Sequence, residues 1–189
     1  MILGYPSMIS EEELEIDNTG YLVQRPSATN CAVISLFNAL IYYKKFDLLN
    51  RNNIEKYIAD KFPPLGNNGE YTTQQLFLIA DYLGLKLNTY CNEIKITIED
   101  LRIPLIVTTT YTYLDYFNAK NMINPSYLVK RELTTIYSPL EKNHHSFFVS
   151  SIKKHKKSTL WLTSNFFPGT VWVNKNICRG ITYFKVDLK

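Results

Sequence analysis

The stretch QRPSATNCAVISLFNAL, residues 24–40, places a cysteine where a loop gives way to a helix, a few residues after a glutamine. A thiol in the first turn of a helix lies beside backbone N–H groups that have no intrahelical partner, at the positive end of the helix dipole. Both favour the thiolate and lower the thiol pKa. Cys31 is therefore the candidate nucleophile, set against the plainer reading of a small buried hydrophobe, which is what most free cysteines are. Cys91 falls at a strand end and Cys178 in an irregular stretch between strands, and neither stands over a helix start.

Thiolate chemistry also needs a base, a group that orients the base, and donors for the oxyanion. The chain has three histidines. His155 lies inside the run KKHKK (153–157), a poor setting for an imidazole that must become a cation paired with a thiolate. His144 and His145 open the apolar stretch HHSFFVSSI, and because strand side chains alternate, only one of them can face the site. The residues alone leave that choice open. Asn165 ends the next stretch, TLWLTSN, which would pair with the histidine strand through the KKHKK turn and bring the asparagine beside the ring, as in Cys-His-Asn arrangements. Gln24 would donate its side-chain amide to the oxyanion alongside the backbone N–H of Cys31. Asn38, seven residues after Cys31, shares its helical face and reads either as a buried amide bonded to neighbouring backbone or as support for the site.

These residues need elements to hold them. Ala32, Val33, Leu36, Phe37, Leu40 and Ile41 recur at three- and four-residue spacing, which predicts a helix over about 30–45 with Thr29 or Asn30 as N-cap. A shorter helix is expected over 53–61, closed by Pro63 and Pro64. A third is expected over 73–83, with Thr72 and Gln75 at capping-box spacing and Gly84 as its stop. Beyond Gly84 the period changes to two. Residues 85–90, 104–109, 146–152, 159–165, 170–174 and 181–186 read as strands, the second apolar enough to be central. Helices first and strands last predict an α+β fold, N-terminal helices packed on a C-terminal antiparallel sheet.

The composition is that of one globular domain spanning residues 1–189, with 46% hydrophobic and 20% charged residues and an irregular lead-in over 1–22. The net charge of +4 is modest. Its main cluster, KKHKK, reads as a solvated hairpin tip, so no nucleic-acid partner is expected. Three widely spaced cysteines without CxxC or Cys/His ligand spacing argue against a disulfide framework and a zinc site, and no cofactor is expected. The N-terminus lacks a signal-peptide pattern and no run approaches a membrane span. The expected setting is soluble and cytoplasmic, without membrane association.

The segment QRPSATNCAVISLFNAL resembles the glutamine-and-cysteine segment of papain-like cysteine peptidases, closest to the bacteriocin-processing, double-glycine branch and its stand-alone relatives. EYTTQQLFLIADYLGLKL is similar to that family's helix ending in a leucine–glycine–leucine turn, and IEDLRIPLIV to the strand before its histidine. HHSFFVSSI…TLWLTSN resembles the histidine strand and the strand that ends at the orienting residue, and ITYFKVDL the closing aromatic strand. The likeness covers about residues 20–188. It implies a papain-like fold and a cysteine peptidase acting on a peptide or protein. It favours His145 over His144, assigns Asn165 the orienting role and Gln24 the oxyanion. The chain departs from the family pattern at Ala32, where a glycine is usual, and in a Gln24–Cys31 gap one residue longer. It departs again at Asn165-Phe166, where Asp-Pro is common, and in an inserted excursion over 110–143, next to the cleft in such a fold. A deamidase, transglutaminase-like or other amide hydrolase would use the same residues. A binding module that keeps the fold without the activity would instead use the tyrosine-rich YTYLDYF (111–117) as its contact surface.

Overall fold

In the computed structural model the described residues are 20–22, 29–47, 50–66, 69–91, 103–112, 142–155, 158–165, 170–175 and 179–189. Gln24, Cys178, most of the lead-in and nearly all of the excursion over 110–143 lie outside them.

The first helix, α1 (Cys31–Tyr42), begins at the cysteine itself. Asn30 holds the N-cap position without a side-chain cap hydrogen bond. The hydroxyl of Thr29 donates instead to the carbonyl of Gly69 at 2.7 Å, tying the approach to α1 to the loop before the third helix. The periodicity predicted one apolar face, but every residue from Ala32 to Leu40 is buried. A helix can be buried all round only if its polar residues are satisfied inside. Ser35 donates its hydroxyl to the carbonyl of Cys31 at 2.8 Å, and Asn38 bonds to the backbone of Leu22.

Helix α2 (Arg51–Lys61) is more superficial and buries only Ile58. Helix α3 (Thr73–Tyr82) has the expected capping box: the Thr72 hydroxyl accepts from Gln75 N–H, and the Gln75 side chain accepts from Thr72 N–H, each at 3.2 Å. Gln75 is itself buried. Its Oε1 also accepts from Leu65 N–H at 3.0 Å, and its Nε2 donates to the carbonyl of Pro63 at 2.7 Å. One amide thus joins the beginning of the α2–α3 loop to the start of α3. Gly84 stops that helix at φ +75°, a conformation in which a Cβ is strained.

Six strands follow: β1 (Leu85–Cys91), β2 (Leu105–Thr112), β3 (Lys142–His155), β4 (Ser158–Ser164), β5 (Thr170–Asn174) and β6 (Arg179–Leu188). They form one sheet in the order β1-β6-β2-β3-β4-β5, every neighbouring pair antiparallel. The expected hairpin through the lysine run is present, with β3 paired to β4 as far as His155 opposite Ser158. β3 begins earlier than the apolar pattern predicted, because its pairing with β2 continues past both histidines to Lys142 opposite Thr112.

Register divides the sheet residues between two faces. Ile106 lies opposite both Phe148 and Phe184, and these pack with Leu85, Leu87 and Val186 against Leu36, Phe37 and Leu40 of α1 and Leu76 and Ile79 of α3. Val107 lies opposite Phe147 and Tyr183 on the other face, where Phe147 meets Trp161 at 6.0 Å between ring centroids and Trp161 meets Tyr183 edge-on at 5.8 Å. β2 and β3 are accordingly buried on both faces, which makes their consecutive apolar triplets LIV and FFV intelligible. The fold is α+β, three helices packed on a six-stranded antiparallel sheet.

Replacing Gln75 by Ala removes three side-chain hydrogen bonds and leaves Leu65 N–H and the Pro63 carbonyl without this partner. The expected cost is about 2 kcal/mol of unfolding free energy, read as a lower urea midpoint at unchanged m-value. A midpoint within error of wild type would show that the amide does not hold this loop.

Candidate active site

Cys31 is the first residue of α1 and half-buried. α1 packs chiefly on β3, and this contact brings the thiol to His145. The alternation of β3 separates the two histidines: His145 is half-buried and hydrogen-bonded to Cys31, whereas His144 is exposed. His155, at the far end of the strand, is ten residues away along β3.

The other side of the imidazole is set by the turn after β4. The ladder between β3 and β4 ends with Phe148 opposite Ser164. The next residue, Asn165, turns out of the strand at φ 68°, in the left-handed region that asparagine tolerates better than most residues. In this turn the main-chain carbonyl of Asn165 accepts a hydrogen bond from His145 Nε2. Its side-chain Nδ2 donates to the carbonyl of Cys31 at 3.3 Å. Asn165 is buried, so a single residue links His145 to the first residue of α1.

The acceptor on Nε2 decides the tautomer. A carbonyl oxygen only accepts, so Nε2 must carry a proton, and Nδ1 is the nitrogen left to face the thiol. Neutral His145 can therefore take the Cys31 proton at Nδ1, and the resulting imidazolium has a partner at each nitrogen.

Burial opposes ionisation of both groups, pushing the thiol pKa up and the imidazole pKa down. The net shifts run the other way. For Cys31, the hydrogen bond and charge of His145, then the backbone N–H groups of Ser146 and Ala32, bring the pKa below its ordinary value. For His145, the hydrogen bond and charge of Cys31 and the Asn165 carbonyl raise it. Both shifts favour a thiolate–imidazolium pair. The Ala32 N–H is one of the helix-start donors expected from sequence. The Ser146 N–H comes from the strand that carries His145.

Three of the four residues singled out from sequence, Cys31, His145 and Asn165, are thus brought together, and the fourth, Gln24, lies outside the described residues. Sequence reasoning missed the part of the main chain: the N–H of Ser146 and the carbonyl of Asn165. Backbone groups have no sequence signature of their own. The one usable signal was an asparagine directly after a strand, where that residue type commonly marks a turn. Among the described residues no group of three or more His, Cys, Asp or Glu side chains could hold a metal ion, and no helix is long and apolar enough to cross a membrane.

No family model matches the sequence. No curated protein matches it either. The fold is similar to the crystal structure of a double glycine motif protease from an AMS/PCAT transporter in complex with the leader peptide. The similarity has a TM-score of 0.52 at 16% identity and covers 90% of this chain and 91% of that one. The fold of the chain is of the papain-like α+β type.

Proposed function

We propose that the protein is a cysteine peptidase, with Cys31 as nucleophile, His145 as general base and acid, and Asn165 as the residue that orients the imidazole. The observation that carries this reading is the contact between the Cys31 thiol and an imidazole whose opposite nitrogen donates to the Asn165 carbonyl, within a papain-like fold. In acylation the thiolate attacks the peptide carbonyl, forming a C–S bond and an oxyanion. The oxyanion collapses as His145 gives its Nδ1 proton to the departing amine, leaving a thioester. Water then attacks the thioester while His145 takes its proton, and the second tetrahedral species releases the carboxylic acid and the free enzyme. The oxyanion donors in this reading are the Cys31 backbone N–H and the Gln24 amide.

The substrate in this proposal is a peptide, and the neighbouring structure guides the first choice. That structure is of a double glycine motif protease in complex with a leader peptide. Peptides with Gly-Gly before the scissile bond are therefore the first to assay. The reading predicts that they are cut after the second glycine, and that Cys31→Ala abolishes cleavage. Release of ammonia without chain cleavage would assign the same residues to a deamidase.

Reactivity tests the ion pair directly. The lowered Cys31 pKa extends the thiolate to lower pH, and the raised His145 pKa keeps the imidazolium to higher pH. Iodoacetamide should label Cys31 rapidly below pH 7, and the rate should fall only as pH drops through the Cys31 pKa. In His145→Ala the burial that raises the thiol pKa remains while its main opposition is gone, so labelling should rise only at or above the free-thiol value of about 8.5. Peptide mass spectrometry separates Cys31 from Cys91 and Cys178. A wild-type profile that already rises only near that value sinks the proposal.

A second substitution series addresses how Asn165 orients the ring. Asn165→Gly keeps both the left-handed turn and the carbonyl, and loses the bond to Cys31, worth about 1 kcal/mol. Its kcat should stay within about tenfold of wild type, whereas His145→Ala should lose the ~10²–10⁴ that general acid–base catalysis supplies. A glycine variant as inactive as His145→Ala would mean that the asparagine side chain, and not the main chain, does the orienting.

A further inference from the structure

Asn30 stands at the N-cap of α1, where an asparagine oxygen ordinarily accepts a first-turn N–H. It makes no such bond, and among the described residues its Oδ1 has no hydrogen-bond partner although it is buried. The other cap candidate, Thr29, is turned away and donates to the Gly69 carbonyl. The chain can build a complete cap, as Thr72 and Gln75 do at α3. A buried acceptor left open costs stability, so its retention points to a donor that arrives from outside the chain.

Asn30 also lines a cavity of about 320 Å³, shared with Val33 of α1, Glu55, Lys56 and Ala59 of α2, and Tyr71 ahead of α3. This is at the small end for a ligand site. The loop that brings Tyr71 is held in place: Gly66 N–H donates to the Glu70 carbonyl at 2.8 Å, and the Thr29–Gly69 bond ties the loop to α1. Cys31 meets His145 on β3, whereas Asn30 and Val33 share the cavity with residues of α2. The cavity therefore flanks the helix start on the side away from the sheet, one residue from the sulfur. Side chains of an extended peptide alternate in direction, so a peptide with its carbonyl at Cys31 can send a neighbouring side chain into it.

The lining selects the chemistry of that side chain. An open carbonyl oxygen needs a donor, and an ionised Asp or Glu has none. Glu55 is already engaged by Arg51, and the exposed Lys56 opposes a second cation. Tyr71 stays neutral, because burial raises its pKa, and its hydroxyl can donate or accept. A carboxamide meets these demands together: its N–H groups serve Asn30, and its oxygen can accept from Lys56 or Tyr71.

We propose that this cavity is a specificity subsite that takes the asparagine or glutamine side chain of a substrate residue flanking the scissile bond, with Asn30 Oδ1 accepting from its amide. This rests on the peptidase reading and adds the class of side chain to it.

Glutamine against glutamate is the sharpest comparison, since the two differ in the donor and hardly in shape. Peptides with Gly-Gly before the scissile bond would carry Gln, Glu or Leu at the third residue before that bond, or at the first or second after it. Cleavage would be measured as kcat/KM on the wild type, and binding as Kd on Cys31→Ala. At one of these positions Gln should exceed both Glu and Leu by roughly 10- to 100-fold, the ratio that one buried hydrogen bond supplies. In Asn30→Ala the Gln-to-Glu ratio at that position should fall to within about threefold of unity. A ratio cancels any general effect of altering the neighbour of Cys31. Ala59→Phe fills the cavity from α2, leaves α1 untouched and should erase the same preference, which covers an Asn30 variant that does not fold. No preference for Gln at any position, a preference for Glu, or a Gln preference that survives both substitutions would overturn the proposal while leaving the peptidase reading in place. Binding that shows the preference without any cleavage would keep the subsite and remove the peptidase reading. Neither cleavage nor binding of any peptide in the series would remove both.

Discussion

The hydrogen bond between the Cys31 thiol and the His145 imidazole joins the helical layer to the sheet at the point where burial most opposes charge. Each partner would be neutral if its surroundings were merely apolar. Both pKa values move toward the charged forms because, besides the two groups' own interaction, fixed dipoles are directed at each: the N–H groups of Ala32 and Ser146 at the sulfur, and the carbonyl of Asn165 at the ring. Such groups need little reorganisation when charge appears, because the helix start, the strand and the turn that hold them are already ordered. The architecture around the pair serves to hold those three backbone elements at hydrogen-bonding distance.

Helix α1 provides the firmest of these supports. It is buried from Ala32 to Leu40, with the aromatic rings of Tyr42 and Tyr21 meeting Phe148 and the hydroxyl of Tyr43 donating to the Val186 carbonyl at 2.8 Å. A close-packed helix of this kind cannot slide or rotate without opening voids, so the thiol at its N-terminus is held with the precision of the core. The polar residues inside it give direction as well. Ser35 binds the carbonyl of Cys31, and Asn38 binds the backbone of Leu22. His145 is held in the same manner, on a strand flanked by β2 and β4 and packed on both faces.

The turn at Asn165 shows why the residue type at a strand end matters even where the main chain makes the contact. Leaving the ladder directly after Ser164 requires a positive φ, and asparagine accepts this at little cost. The turn aims the carbonyl at the imidazole, and the side chain folds back onto α1. One residue thus couples two elements separated by 134 positions in the chain.

Much of this was legible from local pattern. The change of period at Gly84 marks where helices end and strands begin, the Thr72–Gln75 spacing predicts the capping box, and the place of Cys31 at a helix start follows from apolar spacing alone. That one of the adjacent histidines must face away also follows from alternation, although residue types alone did not say which. Local pattern could not supply the order of the sheet, in which β6 inserts between β1 and β2, because strand pairing depends on long-range packing. Nor could it name the partner of Asn38, sixteen residues away, or the N–H and carbonyl that hold the charged pair. Side-chain chemistry is written residue by residue, so the identity of the candidate nucleophile and the candidate bases is a property of the sequence. Every residue carries the same N–H and C=O apart from proline, so only the folded backbone decides which of them point at the sulfur and the ring.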